Sequence, residues 1–149
     1  GLRITFISAT RVLPPGWAAT AGAPGVASAY QERRLLAEVR QARTTSDAVV
    51  VAVHWGVERS PSPDPSQVGL AHRLVDAGAS VVLGHHPHVL QPVVRYRGAV
   101  IAYSLGNFVF TAPTVQQESM ILRVGILPGG ELALSSVPIR ISGGQPRPI

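Results

Sequence analysis

Two short apolar runs, separated by one helix-like segment, restrict the fold of this chain more than any other feature of its sequence. The runs are 47–54 (DAVVVAVH) and 80–84 (SVVLG), and neither alternates apolar with polar residues. Strands that are buried on both faces have this pattern, which is typical of parallel sheets covered by helices. Between them, 66–78 carries apolar residues on one helical face and ends in Gly78, which suits the position after a helix. We therefore predict a βαβ unit with parallel strands and a right-handed crossover.

Further elements are predicted on both sides of this unit. Apolar and β-branched residues predict a strand at 2–9, and an apolar stripe predicts a helix at 28–43 with Ser28 as its N-cap. Two hairpins are predicted after the unit: 91–96 with 99–106, and 118–127 with 131–141. The expected fold is thus an α/β domain over 1–141, with a parallel βαβ core followed by antiparallel hairpins, and a flexible tail over 142–149.

The segment 10–26 connects the first predicted strand to the first predicted helix. It is rich in Gly, Pro and Ala. Loops of this length without secondary structure are uncommon in compact domains and are often functional or mobile. We therefore regard 10–26 as a segment with either a role in function or high mobility.

Composition excludes several kinds of chemistry. The chain has no cysteine, so disulfides and thiolate catalysis are excluded, and a metal ion would need His, Asp, Glu or Asn ligands. No apolar run approaches the roughly 18–20 residues of a membrane span. The formal charge is +5, but all 13 basic residues are arginines scattered along the chain, without interleaved aromatic residues. We therefore expect no nucleic-acid partner.

Four of the five histidines follow the two strands of the βαβ unit. His54 ends the first strand, and His85, His86 and His88 come just after the second. The carboxyl ends of neighbouring parallel strands lie about 4.8 Å apart at one edge of the sheet, where ligands of open α/β sheets bind. Because a metal–nitrogen bond is about 2.0–2.1 Å, imidazoles from both strands can reach one ion. The sequence predicts a metal or phosphate site at this edge.

Pro87 lies between the last two of these histidines. Its ring fixes its own φ and favours an extended backbone at the preceding residue, His86. Extended residues two apart project to the same side, so we expect His86 and His88 to point together and His85 to point elsewhere. Such a pair suits two ions about 3.5–4 Å apart, the spacing of binuclear hydrolases.

Two polar residues outside the histidines are further candidates for the site. The first hairpin returns the segment SLGNF to the same edge, which brings Asn107 near His88. Glu58 lies in the loop after His54 and could be a base, a ligand or a substrate contact. On these grounds alone, Asn107 could equally cap a turn and Glu58 could be a solvated loop charge. Mid-helix His72 is expected to face solvent, and Trp55 to pack in the core.

The motifs HWGVE, LVDAGASVVLGHHPHVLQPV and IAYSLGNFVF resemble those of the bacterial capsule-synthesis protein CapA family. This is the poly-γ-glutamate biosynthesis group, related to calcineurin-like metallophosphoesterases, and the resemblance covers about residues 1–112. It implies a metallophosphoesterase-like (calcineurin-like) partial sandwich with two divalent transition metal ions (Mn, Fe or Zn). Carried over by position, His54, His86 and His88 would be metal ligands. His85 is the alternative, because the extra histidine leaves the register open by one residue.

The resemblance also implies a function in capsule biosynthesis or export at the cell envelope. A metal-dependent hydrolase-like site would act on an anionic γ-glutamyl polymer or a phosphoester, within a membrane capsule-synthesis complex, and Glu58 and Asn107 would orient substrate or water. Family members carry further ligands upstream, in Gly-Asp, Asn-Leu-Glu and Asn-Asn-His motifs that this sequence lacks. We therefore expect the carboxyl-terminal part of a longer protein, inactive by itself. The alternatives are a non-catalytic scaffold that binds the polymer, and a phosphoesterase unrelated to capsule.

Overall fold

The computed structural model describes residues 1–111 and 117–149 and shows an α/β protein with two sheets. Its elements in chain order are β1 (Ile4–Thr10), α1 (Glu32–Thr45), β2 (Ala48–His54), α2 (Pro65–Asp76), β3 (Val81–His85), β4 (Val93–Tyr96), β5 (Ala99–Ala102), β6 (Glu118–Ile126), β7 (Leu132–Ser142) and β8 (Gln145–Pro148). The larger sheet has the order β1-β2-β3-β5-β4, and the smaller has the order β6-β7-β8. Strands β1, β2, β3 and β5 are parallel, whereas β4 is antiparallel to β5.

The predicted βαβ unit is present as β2, α2 and β3. The two strands pair in parallel, with Val50 opposite Val81 and His54 opposite His85. Successive residues of β2 face two separate cores: Val49, Val51 and Val53 pack under the helices, whereas Val50 faces the smaller sheet. Because both faces are covered, both faces are apolar, which explains the absence of alternation in the sequence.

Strand β1 differs from β2 because one of its faces remains open. Leu2, Ile4 and Phe6 are 47%, 41% and 73% exposed. Ile4 and Phe6 pair with Ala48 and Val50, so their side chains lie on the same face of the sheet as Val50. The smaller sheet covers this face at β2, β3 and β5. Among residues 1–111 and 117–149, β1 also has no strand on its outer side.

Within residues 1–111 and 117–149, no helix is long and apolar enough to span a membrane.

Two local predictions were wrong. Helix α1 begins at Glu32, not at Ser28, because Ser28 forms a bridge with Thr10 and its hydroxyl accepts a hydrogen bond from the Tyr30 N–H. The expected flexible tail over 142–149 contains β8, which pairs with the end of β7. The turn between them is Gly143–Gly144, with φ of 58° and 80° at these two residues. Two glycines with positive φ are a favoured hairpin turn, so a signal for this strand was present in the sequence.

Helix α2 is fixed at its amino end by a capping box. The Asp64 carboxylate accepts hydrogen bonds from the backbone N–H groups of Ser66 and Gln67, and the Gln67 side chain accepts one from the Asp64 N–H. Pro65 occupies the first helical position, where a missing N–H is tolerated. At the other end Gly78 follows the C-cap with φ of 117°, as the sequence predicted. These bonds set where the helix starts and hence how far the loop after β2 extends.

Trp55 joins the loop after β2 to the segment after β5. The side chain is fully buried, and its indole Nε1–H donates to the Tyr103 carbonyl at 3.0 Å. This bond passes over Gly84 of β3, where a Cβ would lie 2.0 Å from the Tyr103 oxygen and 2.3 Å from the Trp55 nitrogen. Trp55 therefore packs in the core, as expected, and Gly84 is required because no side chain fits beneath the bond.

The substitution Gly84→Ala is expected to lower the free energy of unfolding by about 3 kcal/mol, because the added methyl group collides with two polar backbone and side-chain atoms. Gly125→Ala in β6 is the matched control, since its Cβ would only touch the Ala133 methyl group at 3.5 Å. We expect this control to change stability by less than about 1 kcal/mol. Urea denaturation followed by circular dichroism measures both, and equal losses in the two variants would contradict the prediction.

Asp64→Ala is expected to lower the free energy of unfolding by about 1 kcal/mol at pH 7, whereas Asp64→Asn keeps a capping oxygen and loses less. Burial raises the pKa of the Asp64 carboxyl, but the hydrogen bonds from Gln67 and Ser66 and the charge of Arg11 outweigh burial, so its pKa is lowered in the folded protein. The stabilisation from the charged form is therefore complete above about pH 4 and is lost as pH falls through the lowered pKa.

Denaturation curves of the wild type and Asp64→Asn between pH 7 and pH 2 test this dependence. The stabilities of the two proteins should converge as the pH falls. A difference that stays constant over this range would show that the carboxylate charge contributes nothing to the cap.

Candidate metal centre

The histidines of β2 and β3 meet at the carboxyl edge of the larger sheet. His54 and His85 are register partners, and their rings stack with centroids 4.9 Å apart and an angle of 3° between the planes. The ring of His86 lies edge-on to His54 at 4.7 Å. The structure therefore brings imidazoles from both strands into one cluster, as the spacing of parallel strands led us to expect.

His86 and His88 adopt a backbone that differs from the expected one. His86 has φ of 106° and His88 has φ of 60°, so the expectation that Pro87 holds His86 in an extended conformation with negative φ was wrong. The Pro87 carbonyl accepts a hydrogen bond from the Arg59 N–H at 2.8 Å, and Arg59 itself has φ of 61°. This bond joins the two loops, and beside it the backbone departs from the conformation that proline favours locally at the preceding residue. Three non-glycine residues with positive φ at one site represent local strain, a frequent property of functional sites.

The same turn brings a carboxylate to the histidine pair. The ring centroids of His86 and His88 are 5.7 Å apart, and one ligand atom from each of Glu58, His86 and His88 lies within 4.8 Å of the others. Glu58 is exposed and lies next to Arg59, so the bond from Arg59 to Pro87 holds it there. His85 is outside this group and instead stacks on His54. The structure thus groups His86 with His88 and brings the Glu58 carboxylate beside them, an arrangement that could hold a metal ion.

Burial and neighbouring charges favour the neutral form of three of the clustered imidazoles, those of His54, His85 and His86. Burial lowers the pKa of His54, and the positive charges that His85, His86 and His88 would carry lower it further. Burial also lowers the pKa of His86, which the Glu58 carboxylate partly opposes. Neutral imidazole is the form that binds metal ions. The lowered pKa values of His54 and His86 therefore favour the form in which these two imidazoles can bind a metal ion.

Thr10 is a contact of the site that the sequence did not reveal. It ends β1 opposite His54, and its hydroxyl lies 3.3 Å from the His54 Nδ1. With Nδ1 in this contact, Nε2 is the nitrogen left for a ligand. The sequence did not show which strand lies beside β2. Had β1 been known to pair with β2 in parallel, Thr10 at its carboxyl end would have been a candidate contact of His54.

Asn107 lies directly behind His88. Its Oδ1 is 2.7 Å from the His88 Nδ1, and its Nδ2 donates to the His88 carbonyl at 3.2 Å. The side chain is 5% exposed, so its immediate partner is this histidine. With Nδ1–H donating to Asn107, the Nε2 of His88 is free to bind a ligand. A direct contact between Asn107 and substrate stays a prediction.

Two buried glutamines hold the Glu58 loop, although neither stood out in the sequence. Gln67 Nε2 donates to Gln91 Oε1 at 3.0 Å, and Gln91 Nε2 donates to the Ser60 carbonyl at 3.0 Å. Gly56 in this loop has φ of 85°, and a Cβ there would lie 2.7 Å from the Gln67 amide. The chain of hydrogen bonds therefore fixes the loop that carries Glu58.

His72 is not part of this cluster. It stacks on Tyr96 with centroids 3.9 Å apart and an angle of 6° between the rings. The side chain is partly buried, so the expectation that it faces solvent was wrong. The hairpin of β4 and β5 packs its Tyr96 on this helix face, a contact that helical periodicity alone does not predict.

The fold and the cluster define an α/β protein with a candidate metal centre of histidine and carboxylate groups at the carboxyl edge of its parallel strands. Comparison with known proteins gives the family. Residues 1–112 match the family described as "Bacterial capsule synthesis protein PGA_cap", and the chain belongs to this family.

The similarity to curated proteins extends over the whole chain. It is 38% identical over 154 aligned residues to the capsule biosynthesis protein CapA of Bacillus anthracis, and 38% identical over 150 to the PGA biosynthesis protein CapA of Bacillus subtilis. In both cases the chain is covered completely, whereas only 37% and 39% of the relative is covered. A Mycobacterium tuberculosis protein named "Probable polyglutamine synthesis accessory protein" is 30% identical over 145 residues, with 87% of this chain and 38% of that protein covered.

The substitution Asn107→Ala is expected to weaken divalent-metal binding by about 10–100-fold, because His88 loses the group that fixes its ring and tautomer. Titration calorimetry with Zn²⁺ measures the affinity. The ¹⁵N chemical shifts of His88 report the cause, since the variant should lose the single tautomer protonated at Nδ1. Weaker binding with an unchanged His88 tautomer would contradict this explanation.

Proposed function

We propose that this chain is part of a protein of poly-γ-glutamate capsule biosynthesis or export that carries a metal-dependent hydrolase-like site. The observation that supports a metal site is the group formed by Glu58, His86 and His88, with ligand atoms within 4.8 Å of one another, beside the ring of His54. The names of its relatives, which refer to capsule and PGA biosynthesis, support the place in capsule synthesis.

The finer fold proposed for the whole protein is metallophosphoesterase-like. The mixed sheet with its histidines at the carboxyl edge supports this. The chain spans less than two-fifths of the curated relatives it matches. Two ions, as in binuclear hydrolases, need more donors than the four groups described. We therefore propose that residues outside 1–149 complete the ligand set.

The donors present fit a divalent transition metal. Imidazole nitrogens together with a carboxylate oxygen suit Mn, Fe and Zn, and the lowered pKa of His54 and His86 favours their neutral ligand forms. Glu58, His86 and His88 would hold such a cation, which would supply a lowered pKa of bound water and stabilisation of the negative charge on an attacked phosphoester or amide-like bond.

The chain's own residues have distinct parts in this proposal. Thr10 and Asn107 hold the Nδ1 sides of His54 and His88, which leaves both Nε2 atoms for the ion. Glu58 is the exposed carboxylate beside the pair and would bind the ion or accept a proton from the attacking water. The loop bond between Arg59 and Pro87 keeps Glu58 in reach of the histidines.

The proposed substrate is an anionic γ-glutamyl polymer or a phosphoester, and the proposed location is the cell envelope, where a capsule polymer is exported. A net charge of +5 favours an anionic partner. The intact protein would work with the membrane complex that makes the polymer. The second candidate is a non-catalytic scaffold of that complex, which exposed arginines such as Arg33 and Arg40 of α1 favour, because they could bind the polymer without a metal.

Metal content separates the two candidates. We expect the intact protein to contain close to two transition-metal ions per chain. His86→Ala should weaken metal binding by at least about tenfold, because it removes a proposed ligand. His72→Ala is the matched control, since that histidine stacks on Tyr96 away from the cluster.

Elemental analysis after dialysis, together with binding of purified poly-γ-glutamate, gives the result. Loss of metal in His86→Ala but not in His72→Ala supports the metal centre. A wild-type protein that holds no metal at neutral pH and still binds the polymer would overturn the hydrolase-like proposal in favour of the scaffold.

A further inference from the structure

The long loop between β1 and α1 has a defined shape. The Val26 N–H donates to the Trp17 carbonyl at 2.8 Å, and the Ala19 N–H donates to the Val26 carbonyl at 3.0 Å. The two limbs approach so closely at Gly25 that a Cβ there would lie 2.6 Å from the Trp17 oxygen. At its base, Thr10 is bonded through its backbone to Ala27 and Ala29. The sequence left open whether this segment is functional or mobile, and these bonds hold it in one conformation.

This ordered loop holds apolar side chains out of the core. Trp17 is 61% exposed, Val26 43% and Val12 38%. Exposed single apolar residues are common, but a contiguous apolar surface often marks a binding site. These three residues border one cavity of about 530 Å³, which Leu13 and Pro14 also line.

Two residues of the histidine cluster also line this cavity. They are His54 and His85, the stacked pair, and the carboxyl end of β1 contributes Ser8, Ala9 and Thr10 to the lining. None of the described residues that line it is acidic or arginine. Small-molecule sites typically have volumes of about 300–1,000 Å³, mostly apolar walls and a few polar groups at one place. This cavity has a volume in that range and mostly apolar walls. Its polar groups are the hydroxyls of Ser8 and Thr10 and the rings of two histidines, of which His54 belongs to the candidate metal centre.

We propose that this cavity binds the apolar part of an amphipathic anionic substrate, namely an alkyl or aryl group joined to a phosphate or carboxylate that lies at the histidines. The position of the anionic group rests on the metal centre proposed above, whereas the apolar subsite rests on the loop and its cavity. A γ-glutamyl polymer alone presents carboxylates and no large apolar group, so the apolar group would belong to a molecule to which the polymer or phosphate is joined.

Two probes with the same head group test the subsite. Phenylphosphonate and methylphosphonate are compared by titration calorimetry in the presence of Mn²⁺. We expect the wild type to bind phenylphosphonate about tenfold or more tightly than methylphosphonate, as a hydrophobic pocket discriminates between such groups. Trp17→Ala should reduce the ratio to about one to twofold, while Trp17→Phe should retain most of it. Phe6→Ala is the matched control, because Phe6 is an exposed aromatic residue outside the cavity.

A second readout does not depend on metal. Trp55 is fully buried, so quenching of tryptophan fluorescence by acrylamide in this chain reports on Trp17. Benzyl alcohol, an uncharged aromatic probe, should reduce this quenching without Mn²⁺. If benzyl alcohol protects Trp17 but methylphosphonate does not bind, the metal-centre proposal is contradicted and the apolar subsite is supported. Equal affinities for the two phosphonates in the wild type, or a preference that Trp17→Ala leaves unchanged, would overturn the subsite, as would a cavity already filled by another part of the protein or by a second copy.

Discussion

The hydrogen bond from the Trp55 indole to the Tyr103 carbonyl, which spans Gly84, is the contact on which the rest of this structure depends. It joins the segments that follow β2 and β5 across the end of β3. Trp55 comes directly after His54 and Gly84 directly before His85, so the stacked pair is held from both strands. On the other side, Tyr103 leads into the segment that ends in Asn107, which holds His88. A single buried tryptophan therefore connects the packing of the sheet to the geometry of the histidine cluster.

Loops rather than strands supply the remaining geometry of the site. The strands place His54 and His85, whereas Glu58 lies in the loop after β2. The Arg59 backbone joins this loop to Pro87, beside the pair of His86 and His88. Two buried glutamines and a capping box fix the far end of the same loop. Positive φ at three non-glycine residues is the conformational strain that accompanies this arrangement, and one of the three, Arg59, itself makes the bond that joins the two loops.

The sequence predicted the strands whose apolar patterns depend on burial. It did not predict features that depend on contacts between segments far apart in the chain. Strands β2 and β3 and the meeting of His54 with the later histidines follow from apolar runs and from the geometry of parallel strands. The conformation of His86 does not, because proline's local preference is opposed by a hydrogen bond to the Pro87 carbonyl from Arg59, twenty-eight residues earlier in the chain. Thr10 was missed for the same reason, since its contact with His54 depends on which strand lies beside β2. Strand β8 is different, because its Gly143–Gly144 turn is a local signal that the sequence itself contains.

The open face of β1 has a practical consequence for the polypeptide of residues 1–149. A strand whose outer hydrogen-bonding groups have no partner among the described residues, and which also presents Leu2, Ile4 and Phe6, can template the addition of another strand. Natural edge strands are commonly protected by lysine, and this chain contains none. Self-association should therefore increase steeply with protein concentration, and additives that compete for strand pairing should extend the range over which the polypeptide stays monodisperse.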